Sequence, residues 1–226
     1  MSKTDHLRNV PIFTDLSDSD LNRIASKMVS RDYEKGQMIL LEESTGETFF
    51  IITSGTVKVT RLSDDGREVI LALLGESDFF GEMSLLDGEG RSANIVANED
   101  AEVMTLSRRD FLECLETYPK IAISLLEELA VRLRKSDQQI ESLSLSDSEQ
   151  RIGITLIRLA EERGTIKRGD VMVQNLPYQQ DIANMAGTSR ETVSRTLKLL
   201  EDKKLVKRIG SDITIFNFND FRQSFS

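Results

Sequence analysis

Arg190, Glu191, Ser194, Arg195 and Lys198 recur at i, i+1, i+4, i+5 and i+8, a spacing that at about 100° per residue gathers them on one side of a helix. Val193, Leu197 and Leu200 fall on another side, so one face is built to bury and the other to hydrogen-bond. Taken alone, Glu191 and Arg195 form an ordinary i, i+4 ion pair on a solvated surface, contributing about 0.3 kcal/mol. Their chemistry also suits the edges of bases. Arginine donates two parallel bonds to guanine O6 and N7, and glutamate accepts from cytosine N4. Lys203, Lys204, Lys207 and Arg208 follow closely and suit phosphates, which set affinity and register without reading sequence.

A second constellation lies in DFFGEMSLLDGEGRSANI, residues 78–95. Gly81 permits a close backbone approach. EMSLL, which includes Glu82 and Met83, has the composition of one helical turn whose free amides face an anion. Arg91 offers a charge-assisted clamp and Ser92 a hydroxyl. Glu82 sits oddly beside a phosphate unless it accepts from a sugar hydroxyl. On residue chemistry alone this stretch is an anion site that chance also produces.

These residues need elements to position them. A chain of 226 residues is long enough for two domains with their own cores, and 39% hydrophobic with 30% charged residues is ordinary for a folded chain. Glycines 36, 46, 55, 66 and 75 bound strand-like runs, QMILL, TFFIIT, TVKVTRL and EVILALL, with ANIVAN and AEVMTLS beyond them. Short strands with turns at that spacing predict an antiparallel sandwich or barrel, with SDDG at 63–66 as a hairpin tip. Before it, DLSDSDLNRIASKM has the start signal and apolar spacing of a helix.

After Pro119 the pattern turns helical to about Ser146. Leu126, Leu129, Leu133, Ser136, Ile140 and Leu143 are separated by 3, 4, 3, 4 and 3 residues, the seam of a two-stranded coiled coil. Such a stripe also suits packing within its own domain, but its narrowness and the single polar Ser136 favour a homodimer. Asp147 or Ser148 then caps another helix. Residues 165–176 read as a hairpin, YQQDIANMAG and SRETVSRTLKLLEDKK as two helices joined through Gly187, and LVKRIGSDITIFNF as a wing. That order is a winged helix-turn-helix.

The net charge of −9 opposes nucleic acid only as a single figure. Residues 147–226 hold 13 Lys and Arg against 11 Asp and Glu, a net of +2, while residues 1–146 hold 16 against 27, a net of −11. The acidity belongs to the first part. No apolar run is long enough to span a bilayer and no charged-then-apolar leader opens the chain, so a cytoplasmic location is expected and no membrane partner. Cys114 is the only cysteine and His6 the only histidine. No metal cluster or nucleophile–base pair is evident, which argues against an enzyme.

FGEMSLLDGEGRSA resembles the phosphate-binding cassette of cyclic-nucleotide-binding domains, and TSRETVSRTLKLLED resembles the recognition helix of the cAMP receptor protein family. With the long helix between them, the chain is similar over essentially its whole length to the CRP/FNR superfamily of bacterial transcription regulators. The resemblance implies an α+β chain: a cyclic-nucleotide-binding β-roll, antiparallel and jelly-roll-like, over 1–118, a dimerisation helix and hinge over 119–146, and a winged helix-turn-helix over 147–226. It implies cAMP as effector, with Glu82 on the ribose 2′-hydroxyl and Arg91, Ser92 and the amides around Gly81 and Met83 on the cyclic phosphate. Ser136 and Asp137 stand where cAMP-responsive members place two hydroxyls near the purine, and Ala72 where one member has a serine. Arg190, Glu191 and Arg195 would read a palindromic, TGTGA-like half-site, with Ser194 similar to the oxygen-sensing branch, and RNA polymerase would be a partner of an activator. Within the same fold, cGMP, a cyclic dinucleotide or a haem-borne gas stays open as the signal, as does ligand-independent DNA binding.

Overall fold

The computed structural model describes residues 2–225, which cluster into two compact units with the boundary between Arg134 and Lys135. The first unit opens with helices α1 (Lys3–Asn9) and α2 (Asp18–Lys27), each begun by a serine whose hydroxyl accepts from the backbone, Ser2 from Asp5 and Ser17 from Asp20. Such caps satisfy amides that have no partner inside the helix.

Eight strands follow: β1 (Val29–Tyr33), β2 (Met38–Leu40), β3 (Thr48–Ser54), β4 (Val57–Leu62), β5 (Glu68–Leu74), β6 (Phe79–Phe80), β7 (Asn94–Ala97) and β8 (Ala101–Ser107), with helix α3 (Met83–Asp87) between β6 and β7. They form two sheets, ordered β1-β8-β3-β6 and β2-β7-β4-β5, paired antiparallel throughout. Strand β3 explains why TFFIIT is apolar without alternation. Phe49 and Ile51 join a core with α1, α2 and Phe111, while Phe50 and Ile52 join a second core with Val57, Phe80, Ile95 and Val103. Successive side chains point to opposite faces, so a strand covered on both sides needs apolar residues at every position.

Strands β1 and β6 lie outside the sequence expectation. β1 is an edge strand paired only with β8, and VSRDY is almost wholly exposed; without a buried face it carries no apolar period. β6 is two residues long. Helix α4 (Arg108–Thr117), capped by Ser107, buries Phe111 and Cys114, and α5 (Pro119–Leu145) runs the length anticipated for it.

The second unit is built on α6 (Ser148–Arg163), which starts in a capping box of Asp147 and Gln150. Then come β9 (Thr165–Lys167), β10 (Asp170–Val173), α7 (Gln179–Ala186), α8 (Arg190–Asp202), β11 (Val206–Ile209), β12 (Asp212–Ile215) and α9 (Phe218–Gln223). The two expected hairpins are one sheet, ordered β11-β12-β10-β9, because β12 pairs with β10. Ile152, Leu156, Ile182, Val193, Leu197, Leu200, Val206, Ile213 and Phe221 make its core. The short α9 had no counterpart in the sequence reading.

Candidate functional site

Between β6 and α3 the chain turns at Gly81 with φ of +82°. A Cβ there would lie 2.7 Å from Arg91 Nη1 and 3.1 Å from the Thr48 carbonyl oxygen, so both space and backbone conformation demand glycine. Arg91 is drawn inward, only 5% exposed. Its Nη1 donates to Gly81 O at 2.7 Å and to Ser84 Oγ at 2.9 Å, and its Nη2 to Thr48 O at 2.8 Å. Burial lowers the Arg91 pKa, with Glu82 and Glu47 acting in the opposite sense, and an arginine remains charged under such a shift. Its Nε is buried with no hydrogen-bond partner among the described residues.

Ser92 is exposed, with its hydroxyl 3.6 Å from Met83 Sδ. The expected residues Gly81, Glu82, Met83, Arg91 and Ser92 are thus gathered around one turn. A cavity of about 360 Å³ opens beside them, lined by Glu42, Glu43, Arg61, Gly90, Arg91 and Ser92. Arg91 thus lines the cavity while its buried Nε departs from the rule that buried polar groups are hydrogen-bonded.

Glu82 has a partner that the sequence reading did not name. Arg132 of α5 reaches it with Nη1 at 3.0 Å, donates Nη2 to Phe79 O at 2.8 Å, and sets its guanidinium 4.4 Å from the centre of the Phe79 ring. One signal pointed there: Arg132 precedes Ser136 by four residues and so shares its helix face. Ser136 and Asp137 are exposed on α5, in the second unit. Along the same helix Leu126, Leu133 and Ile140 are 67%, 64% and 63% exposed. Two members of the expected seam also pack within their own units. Leu129 packs in part on the first core, and Leu143 Cδ2 lies 3.0 Å from where a Cβ on Gly187 would sit.

In the second unit the turn between α7 and α8 is made by Gly187 at φ of +60°, and Ser189 caps α8 by accepting from the Thr192 amide. Val193, Thr196, Leu197 and Leu200 are buried, whereas Arg190, Glu191, Ser194, Arg195 and Lys198 are all exposed, the separation that the spacing anticipates. The Glu191 carboxyl is held below its ordinary range by its own backbone amide and the Ser189 hydroxyl, with Arg190 and Arg195 adding attraction. Lys207 on β11 is exposed. Arg208 is engaged differently: its Nη2 pairs with Glu201 at 2.7 Å, tying the wing to the end of α8.

Arg151 was also missed. From α6 it donates Nη1 to Ser146 O at 2.9 Å, Nε to Ala186 O at 2.8 Å and Nη2 to Gly187 O at 3.1 Å. The end of α5 and the turn before the recognition helix therefore share one guanidinium. In sequence Arg151 is merely one polar residue among several at the start of an amphipathic helix.

A sheet domain with a buried arginine beside a cavity, followed by a winged helix with an exposed polar face on α8, is the architecture of a DNA-binding transcription regulator. Two family models match these parts, a cyclic nucleotide-binding domain over residues 30–118 and a Crp-like helix-turn-helix domain over 150–223. The chain belongs to the CRP/FNR family of transcription regulators. It is 34% identical to the cyclic AMP receptor protein of Thermus thermophilus over 201 residues, covering 89% of this chain and 90% of that protein. It is 36% identical to the cAMP-activated global transcriptional regulator CRP of Pasteurella multocida over 171 residues, covering 75% and 81% of the two chains. Among solved structures, FixK2 from Bradyrhizobium japonicum superposes with a TM-score of 0.77 at 23% identity, covering 87% of this chain and 96% of the other; at that identity the likeness concerns the fold. The family members matched are transcription regulators rather than enzymes, in line with the sequence reading.

Proposed function

We propose that the chain is a homodimeric, sequence-specific DNA-binding regulator switched by a cyclic purine nucleotide, with cAMP as the effector. The observation that supports this reading most directly is that the guanidinium of Arg91, a buried cation, belongs to the lining of the cavity beside Ser92, as a charge-assisted partner for an anion requires. In this reading residues 1–118 sense the nucleotide, 119–146 dimerise and 147–226 bind DNA. Gly81, Glu82, Met83, Arg91 and Ser92 hold the cyclic phosphate and ribose, and Ser136 and Asp137 approach the purine. Leu126, Leu133 and Ile140 support the dimer, being apolar and exposed along α5, and two-fold symmetry suits a palindrome of TGTGA-like half-sites. RNA polymerase is the further partner of an activator. Among the described residues no helix is long and apolar enough to cross a membrane, which accords with action in the cytoplasm.

Calorimetry against cAMP, cGMP and cyclic dinucleotides, followed by fluorescence anisotropy on a palindromic duplex with and without the nucleotide bound, tests the reading. The expected outcome is cAMP binding and a DNA affinity raised by it. A ligand shifts an equilibrium only by its differential affinity for the two states, so equal DNA affinity with and without every nucleotide tried would overturn the switch.

A further inference from the structure

Two guanidinium groups line the cavity, Arg91 and Arg61, and they are held in opposite ways. Arg91 is buried and gives both terminal nitrogens to protein oxygens. Arg61, on β4, is 58% exposed, and its Nη2 is ion-paired with Glu42, whose side chain is 18% exposed. Glu42 is the fixed member. Its amide donates to Asn94 Oδ1 at 2.9 Å, and Asn94 is buried on β7 opposite Thr60, the neighbour of Arg61.

The next residue tightens the arrangement. Glu43 stands at φ of +64°, a left-handed backbone that costs a residue with a Cβ. Its amide donates to Arg91 O at 2.9 Å, while the Arg91 amide donates to Ser44 O at 3.0 Å. The loop bearing Glu42 is thereby stitched to the segment bearing Arg91 and Ser92, and the Glu42 carboxylate is placed at the cavity rather than left to wander.

We propose that Arg61 is a second cation of the ligand cavity and that Glu42 is its built-in competitor, holding the guanidinium until an anionic ligand takes the carboxylate's place. This inference deepens the cyclic-nucleotide reading and rests on it. A half-exposed ion pair contributes little, so exchanging one anion for another at Arg61 costs little. The long arginine side chain supplies the reach, and its fork suits a phosphate. Selectivity follows from the competition, since a ligand must bring negative charge to displace Glu42.

Titration of the full-length chain with cAMP, in the wild type and in Arg61→Gln, Arg61→Lys, Glu42→Gln and the Glu42→Gln/Arg61→Gln double variant, separates the roles. Arg61→Gln should weaken cAMP binding about two- to fivefold, the scale of a partly exposed charge contact. Glu42→Gln should tighten it by a similar factor. Arg61→Lys, which keeps the charge, should fall between wild type and Arg61→Gln, and the double variant should bind like Arg61→Gln because Glu42 acts only through Arg61. Arg61→Gln should also flatten the salt dependence of Kd. Glu42→Gln that weakens binding, or both single variants binding like wild type, overturns the inference while leaving the cyclic-nucleotide reading intact. A wild-type chain that binds neither cAMP nor cGMP overturns that reading, and this inference with it.

Discussion

Glu82 and Arg132 meet at 3.0 Å, with the carboxylate side chain 4% exposed and the guanidinium 31%. A carboxylate so far from water needs a partner, and removing one member of such a pair costs more than the pair itself contributes. Arg132→Met should therefore lower the unfolding free energy by about 1–3 kcal/mol, and adding Glu82→Gln should restore much of the loss. Urea denaturation followed by circular dichroism measures both. Equal stability of Arg132→Met and wild type would remove the pair's structural role.

Arg91 and Ser92 are adjacent but differ in what they hold. Arg91→Ala strips donors from Gly81 O, Ser84 Oγ and Thr48 O, so it should cost about 2–4 kcal/mol of stability besides any effect on nucleotide. Ser92 is exposed, and Ser92→Ala should weaken cAMP binding by about 0.5–1.5 kcal/mol while leaving the urea transition in place. If Ser92→Ala shifts the unfolding curve and not the binding isotherm, the hydroxyl belongs to the fold.

In the proposed reading Arg195 on α8 reads bases and Lys207 on β11 contacts phosphate. Arg195→Ala should weaken binding to the cognate palindrome by about 1–3 kcal/mol and relax the preference at one base pair. Lys207→Ala should instead lower affinity for all sequences and reduce the salt slope by about one unit. The measurement is anisotropy on cognate and scrambled duplexes at several salt concentrations; indistinguishable behaviour of the two variants would refute the base-reading assignment.

Leu133 is 64% exposed on α5. Leu133→Asp should place two like charges at a two-fold seam, giving monomers by light scattering at micromolar concentration and loss of tight palindrome binding. A variant that still dimerises would assign the stripe to another contact.

Cys114 supplies a pH test. Burial raises its thiol to about 11, from an ordinary 9.0. The folded chain holds that proton more tightly than the unfolded one, so the associated stability is fully present below pH 9 and is lost as the pH rises toward 11. Wild type should lose more stability than Cys114→Ala between pH 8 and pH 10.5, read from urea midpoints, and the native thiol should resist alkylation at pH 8. Rapid native labelling at that pH would contradict the burial.

Much of this was legible in the sequence because period and burial coincide. The face of α8 was separable since Val193, Leu197 and Leu200 are buried and the charged residues between them are not. The turn at Gly81 was legible because only glycine fits there. What escaped reading was set by contacts distant in the chain. Arg132 finds Glu82 fifty residues away, Arg151 finds Ala186 thirty-five away, and neither arginine differs in type from its solvated neighbours. The Arg208–Glu201 pair also escaped, although only seven residues separate its members, because residue type does not mark how β11 folds back beside the end of α8.

The clasp made by Arg151 has a thermodynamic consequence. Because Ser146 O, Ala186 O and Gly187 O bond to one side chain, a displacement of the end of α5 is felt at the turn that aims α8, and immobilising that turn is felt at α5. Influence of this kind has no direction. In the proposed reading, if the nucleotide raises affinity for the duplex by some factor, the duplex must raise affinity for the nucleotide by the same factor, so the operator would itself be an effector of the sensor, and the nucleotide Kd should be lower for molecules already seated on DNA.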